Sequence, residues 1–328
     1  MDVDTDTHYK MVDSTFAATL LPKKYIEPSI PLSTDVIRAL KSRMKLTVDC
    51  RAAYELPLKG VKRGDLITHS HQLPSPLDLS MTYISDVATL IYVSDLRLCF
   101  CHSLRDISVL GDSPTLRELN ISYCYSIKDI SAICKCKTLT TLILEGCTGI
   151  INISSLKDSY VEKLYLSGCT NIVDITALGQ CQTLRTLSLT SCASITDVSA
   201  LRDGYVEILF LNNCKELRDI SALGDLHTLI DLRMAGCIGI TDVSALRTCN
   251  SLAKLDISRC SGITDVLPLG EISTLRILNV TLCSNIKPKN MLKPSSTLTV
   301  IAQHTAPSIN TLRAPSTPWS IPSVYSHN

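Results

Sequence analysis

Fifteen cysteines punctuate the chain, and nine of them form a ladder: Cys101, Cys124, Cys147, Cys169, Cys192, Cys214, Cys237, Cys260 and Cys283, each 22 or 23 residues from the next. A thiol can ligate zinc, close a disulfide or attack an electrophile, and each chemistry demands its own surroundings. Zinc needs two closely spaced pairs. The tight pairs here, Cys99 with Cys101 and Cys134 with Cys136, are C-x-C motifs without a second pair at metal spacing. Disulfides need an oxidising compartment. Residues 1–10 are polar and acidic, and the apolar stretch at 16–21 is too short for a signal sequence. The expectation is an intracellular chain, cytoplasmic or nuclear, with reduced thiols. A column this regular marks a structural position: a small buried hydrophobe that donates a weak hydrogen bond to backbone at a bend. Cys136, Cys181 and Cys249, each three residues before a leucine, form a second such position. Cys99 stands apart. It falls where a strand side chain should face solvent, which makes it the candidate for a reactive thiol.

Acidic groups repeat as well. Asp86, Asp106, Asp129, Asp174, Asp197, Asp219, Asp242 and Asp265 share one place in the repeat, with Asn152 standing in once. A calcium ladder requires several oxygens per ion. Asp and Asn both fix turns by accepting backbone N–H bonds, so the exchange fits a turn. No nucleophile–His–acid cluster and no phosphate-cradling glycine loop stands in the sequence, and His69 and His71 lack partners at a recognisable spacing. The expectation is a non-enzyme with no cofactor and no metal. The chain has 32 basic and 31 acidic residues, a net charge of +1, so no excess exists to neutralise phosphates and nucleic acid is not an expected partner. No apolar run approaches the ~18 residues that span a bilayer.

The elements that position these columns are read from the same repeat. Each ladder cysteine closes the segment L-x-x-L-x-L-x-x-C, as in Leu184, Leu187, Leu189 and Cys192. The L-x-L alternation has the period of two that puts both side chains on one face of a short strand. Beyond the cysteine comes I-x-D-[IV]-[ST]-A-L, as in Ile195, Asp197, Val198, Ser199, Ala200 and Leu201. With so few residues per coil there is no room for a full helix, so short 3-10 or irregular turns are expected on the outer side. One coil cannot bury its own leucines. Each stacked coil buries about five apolar side chains, worth roughly 1.5–3 kcal/mol apiece before entropy is subtracted, so several coils must form together and the end coils need caps. The array is read over 76–303 as about ten coils. Residues 1–75 lie outside the repeat and read as a partly disordered region with a helical cap over 33–44, N-capped by Ser33 or Thr34, with Val36, Ile37 and Leu40 on one side. Residues 304–328, rich in Pro, Ser and Thr, read as a disordered tail.

These paired half-motifs resemble the leucine-rich repeat superfamily over about 225 residues. The I-x-D-[IV]-[ST]-A-L half is similar to the repeats of protein phosphatase regulatory subunits and bacterial internalins, which usually carry Asn in place of the cysteine. The cysteine is similar to that of the longer repeats of F-box substrate receptors. The combination G-C-T-x-I-x-D-[IV]-[ST]-A-L at 168–178 resembles leucine-rich repeat proteins of trypanosomatid parasites, some of them labelled adenylate cyclase regulators. The RING finger that fuller relatives carry is absent from this sequence. The resemblance implies an α/β fold: a right-handed horseshoe solenoid with a parallel sheet on its concave face. It also implies a protein–protein interaction module. The alternatives are a substrate-recognition subunit of a ubiquitin ligase and a regulatory subunit of a signalling enzyme such as adenylate cyclase.

Function should sit at positions the fold does not need, which are the residues between the strand leucines. The central column reads Arg97, Asn120, Ile143, Tyr165, Ser188, Phe210, Arg233, Asp256 and Asn279. Ile143, Tyr165, Phe210 and Ile208 form an apolar centre where solvent is expected, and Arg97, Arg233, Lys163 and Glu145 form a charged rim. An apolar centre with a polar rim is the make-up of a protein interface. The expected partner is a protein, bound by a monomer through its concave face.

Overall fold

Short strands arise wherever a leucine pair two residues apart meets the same pair of the preceding coil. The structure, a computed structural model, describes residues 75–302. The strands are β1 Leu77–Asp78, β2 Asp95–Arg97, β3 Glu118–Asn120, β4 Thr141–Ile143, β5 Lys163–Tyr165, β6 Thr186–Ser188, β7 Ile208–Phe210, β8 Asp231–Arg233, β9 Lys254–Asp256, β10 Ile277–Asn279 and β11 Thr299–Ile301. They form one parallel sheet of 11 strands in strict chain order, the open sheet of a horseshoe solenoid. The register pairs Leu96, Leu119, Leu142, Leu164, Leu187, Leu209, Leu232, Leu255 and Leu278 in one line. All nine are buried. The strand count exceeds the expected ten coils by one, because a two-residue strand opens the array and a partial coil closes it. The outer side is made of 3-10 turns such as Ser154–Asp158 and Ser244–Thr248, with one short helix, α1, at Thr176–Gln180. The expected helix over 33–44, the tail 304–328, His69 and His71 lie outside the described residues.

The cysteine ladder closes a hydrogen-bonding gap. Just past each strand the backbone bends, and the carbonyl of the last inward residue leaves the sheet ladder. Leu166 shows what happens next. Its carbonyl accepts the Cys169 N–H of its own coil at 3.0 Å and the Cys192 thiol of the following coil at 3.1 Å. The thiol bond recurs from Cys124 on Leu98 to Cys283 on Ile257, every thiol 2.9–3.1 Å from its carbonyl, and from Ile121 onward the same carbonyl also accepts the cysteine N–H of its own coil. Cys101, in the short first interval, reaches Leu79 at 3.4 Å. The second column is looser, with Cys136 3.6 Å from the Ser113 carbonyl and Cys249 3.3 Å from that of Leu223. All these cysteines are buried and free of disulfides.

The aspartate column works as turn geometry predicts. Oδ1 of Asp106, Asp129, Asp174, Asp219 and Asp242 accepts the backbone N–H two residues ahead at 2.7–2.8 Å, and Asn152 does the same at 2.9 Å. The N–H groups of Ser108, Ser131, Ser221 and Ser244, with the serine hydroxyls, hold four of these carboxyls below the usual aspartate value. At Asp174 the Thr176 hydroxyl leads and its N–H follows.

Two outcomes follow from these ladders. A group whose pKa is depressed by folding contributes stability above its unfolded value, near 3.9, and loses it as the pH falls through that value toward the depressed one. The melting temperature should therefore drop below about pH 4, and Asp174→Asn, which keeps the turn bond as Asn152 does, should reduce that slope. Cys192→Ala strips the Leu166 carbonyl of its second donor and should lower the unfolding free energy by about 1–3 kcal/mol in urea titrations.

Candidate partner-binding face

The residues between the leucines point away from the core onto the concave side of the sheet. The register sets Arg97, Asn120, Ile143, Tyr165, Ser188, Phe210, Arg233, Asp256 and Asn279 side by side. All eight candidate residues share this face, but not one patch. Ile143 and Tyr165 are neighbours on β4 and β5, with Lys163 on the same strand and Glu145 just beyond β4. Ile208, Phe210 and Arg233 form a second group on β7 and β8. Between them β6 inserts Thr186 and Ser188, both buried. Arg97, on β2, lies three strands from Tyr165 and outside either group.

The expected solvated apolar centre needs correction. Ile143 is only 1 % exposed and Phe210 8 %. Strands about 4.8 Å apart crowd large side chains against the adjacent coils, and the inner arc of a curved sheet crowds them further. Ile143 is walled in by Asn120 and Tyr165. Phe210 lies under Arg233, whose guanidinium carbon sits 5.0 Å from the ring centre. Arg233 is no rim residue either. It forms a fork with Asp231, Nε to Oδ1 at 3.1 Å and Nη2 to Oδ2 at 2.9 Å, and both side chains are buried. Asp231 stands on the concave face with Arg233, and its pairing with Arg233 follows from their spacing, since residues two apart on a strand share one face.

What remains available is Lys163, exposed, with Tyr165, Glu145, Ile208 and Arg97 half-buried. Burial raises the Glu145 carboxyl above its ordinary value, with the Ser167 hydroxyl pulling the other way. Burial also raises the Tyr165 phenol, and the charge of Glu145 adds to it. A hydroxyl chain runs beside them, Ser167 to Ser188 at 2.9 Å and Ser188 to Thr190 at 3.4 Å. The group around Tyr165 offers an aromatic ring, the Lys163 cation, the Glu145 carboxyl and hydrogen-bonding hydroxyls.

Cys99 also departs from expectation. It is 7 % exposed, with Ser80 of the first coil and Ser122 of the third on either side, and burial pushes its thiol up to about 11. Burial likewise lifts Cys147, Cys169, Cys192, Cys237 and Cys260 to about 12. Almost no thiolate exists at neutral pH, so these sulfurs are poor nucleophiles. Among the described residues no group of three or more His, Cys, Asp or Glu is placed to hold a metal, and no helix is long and apolar enough to cross a membrane. An aromatic block unforeseen from the sequence lies off this face: Phe100 stacks on Tyr123 at 4.5 Å and His102 on Tyr125 at 5.5 Å. Its signal was F-C-H and Y-C-Y around successive ladder cysteines.

A family model described as Leucine Rich repeat matches residues 180–201, one coil of the array. With eleven parallel strands in sequential register, the fold is that of a leucine-rich repeat solenoid. No curated protein matches the sequence at a significant level. Solved structures similar to the chain include an internalin (inlF) from Listeria monocytogenes, 21 % identical over 67 % of this chain and 72 % of the other, with a TM-score of 0.45. Internalin C2 from the same organism is 21 % identical over 77 % of this chain and 99 % of the other, with a TM-score of 0.44. The leucine-rich repeat domain of the type III effector XCV3220 (XopL) is 13 % identical over 68 % of this chain and 88 % of the other, with a TM-score of 0.46.

The buried setting of Cys99 makes a direct forecast. In the native protein at pH 7.5, iodoacetamide should label Cys99 no faster than Cys147, and both should react together on unfolding, as read from peptide masses. Rapid selective labelling of Cys99 would restore its reactive role.

Proposed function

We propose that this chain is a non-catalytic recognition module that binds a partner protein through its concave face, around Tyr165, Lys163 and Glu145. A leucine-rich repeat fold supports the general reading of a protein–protein interaction module. The observation that carries the finer one is Glu145. Its column holds Ser122, Ser167, Thr190 and Asn212 in neighbouring coils, so the fold asks for a small polar group there, not a carboxylate. Half-burying this carboxyl opposes its ionisation and costs stability at neutral pH, a mark of a residue kept for a task other than folding. Beside it Tyr165 presents an aromatic surface and Lys163 an exposed cation. Rigid aromatic surface bordered by charge is what binding hot spots are made of. Ile143, Phe210 and the Asp231–Arg233 fork act beneath and beside this group as a fixed floor, and Arg97 and Ile208 extend the face to either side. The module works inside the cell as a monomer. The ligase-receptor and cyclase-regulator readings rest on repeat resemblance alone.

The test is quantitative affinity capture from native lysate with mass spectrometry, comparing wild type, Tyr165→Ala, Lys163→Glu and Glu145→Gln, with Lys157→Glu on the outer side as control. Specific partners should fall at least tenfold in the three concave-face variants and hold in the control. A raised folded-state pKa means the carboxyl's contribution is present below the unfolded value and lost as pH rises through the folded one. Glu145→Gln should therefore raise the melting temperature at pH 7 while weakening capture. Unchanged capture in all three variants would remove the concave face from the interaction.

A further inference from the structure

The flank of the solenoid where the chain enters its strands carries two copies of one motif. Asp158-Ser159-Tyr160-Val161-Glu162 leads into β5 and Asp203-Gly204-Tyr205-Val206-Glu207 into β7. Each tyrosine stands where other coils carry threonine. There the hydroxyl caps a carbonyl of the preceding coil: Thr183 donates to Val161 at 3.0 Å, Thr228 to Val206 at 2.8 Å and Thr274 to Leu252 at 2.9 Å. A tyrosine hydroxyl sits at the far end of its ring and cannot make that short bond. The carbonyls of Leu139 and Leu184, one coil before the two tyrosines, lose their donor. In the second copy Arg185 makes good the loss. Its Nη1 donates to the Leu184 carbonyl at 3.1 Å and to that of Gln182 at 2.8 Å. Its Nε lies 3.6 Å from Oε1 of Glu207, and its guanidinium carbon lies 5.4 Å from the centre of the Tyr205 ring. One cation serves a carbonyl, a carboxylate and a ring face at once.

The first copy has the same parts without the arginine. The backbone ladder runs Arg117, Thr140, Glu162, Arg185, Glu207 from coil to coil, so Thr140 holds the place before Tyr160 that Arg185 holds before Tyr205. Its short side chain bonds the Arg117 carbonyl. Among the described residues the Leu139 carbonyl accepts no hydrogen bond, no cation lies within 4 Å of the Glu162 carboxylate, and none stacks on Tyr160. Lys163, next in the chain, does not pair with Glu162 either. Tyr160 is 47 % exposed, and Asp158 and Glu162 are exposed with it.

We propose that Tyr160, Glu162 and the Leu139 carbonyl form a receptor for an arginine side chain of a partner protein, which fills it as Arg185 fills the second copy. The second copy names the occupant, because the same ring and carboxylate there hold a guanidinium. Charge agrees: Asp158 and Glu162 stand two residues to either side of the ring, and both attract a cation. A guanidinium suits the set better than an ammonium. Its donors lie in one plane, so it can bond carbonyl and carboxylate while its face rests on the ring. The receptor uses none of Tyr165, Lys163 and Glu145 and stands apart from the concave-face reading.

Thr140→Arg should fill the receptor from within, and it keeps the fold because Arg117 and Arg185 already occupy the same column. The probe is a random dodecapeptide library displayed on phage, depleted on the full-length Thr140→Arg protein and then selected on full-length wild type. The expected survivors share an arginine. As synthetic peptides in calorimetric titrations, they should lose at least fivefold in affinity when that arginine is replaced by citrulline, which keeps the shape and drops the charge. The same loss is expected on Tyr160→Ala and on Glu162→Gln, while Tyr205→Ala leaves binding unchanged. No surviving clone, survivors without arginine, citrulline peptides that bind as well as the parents, or full affinity for Tyr160→Ala and Glu162→Gln would each overturn the proposal.

Discussion

The structure hangs on one recurring bond, the donation of a buried thiol to a backbone carbonyl of the coil before it. A strand of three residues is too short to hold a sheet by itself, and each strand ends in a bend that carries its last inward carbonyl out of the ladder. Left with one partner in a dry interior, that carbonyl would cost the fold at every coil. The cysteine supplies the second donor without demanding space. It is small enough to sit in the core with the leucines, and its weak S–H donor leaves no strong polar group unsatisfied. The strand register and the stacked leucines hold that sulfur opposite its carbonyl in coils of 22 and of 23 residues alike.

The same stacking decides what the concave face can offer. Side chains on it belong to strands about 4.8 Å apart, so any large group leans on the next coil. Ile143 and Phe210 vanish into this lateral packing, and Arg233 is captured by Asp231 and the Phe210 ring. The result is a rigid floor from which a few groups protrude. A fixed floor of this kind loses less freedom on binding than a mobile one would.

The fold was legible in the sequence because its forces repeat: a period of two on the strand, and a cysteine and an aspartate at fixed distances after it. The concave site was legible only as an address. Which residues line the face follows from the same period. Which of them reach solvent depends on neighbours some 23 residues away and on the bulk those neighbours carry. Cys99 was misread for that reason, since Ser80 and Ser122 flank it from coils on both sides. The Asp231–Arg233 fork was readable in principle from its i, i+2 spacing. The aromatic block was visible too, but only to a reading that compared the residues beside the ladder cysteines as well as the cysteines themselves.

The double use of each carbonyl also gives the molecule a grain. From Ile121 to Ile257 each such oxygen holds its own coil closed and the following coil in place, so a coil is gained or lost as a unit. The repeated Tyr-Val-Glu segments at Tyr160 and Tyr205, 45 residues apart, look like the trace of such a gain, two coils copied together. Pulled from its ends, the array would pay out chain in whole coils, each releasing about 80 Å of contour, a ratchet whose teeth are sulfur atoms.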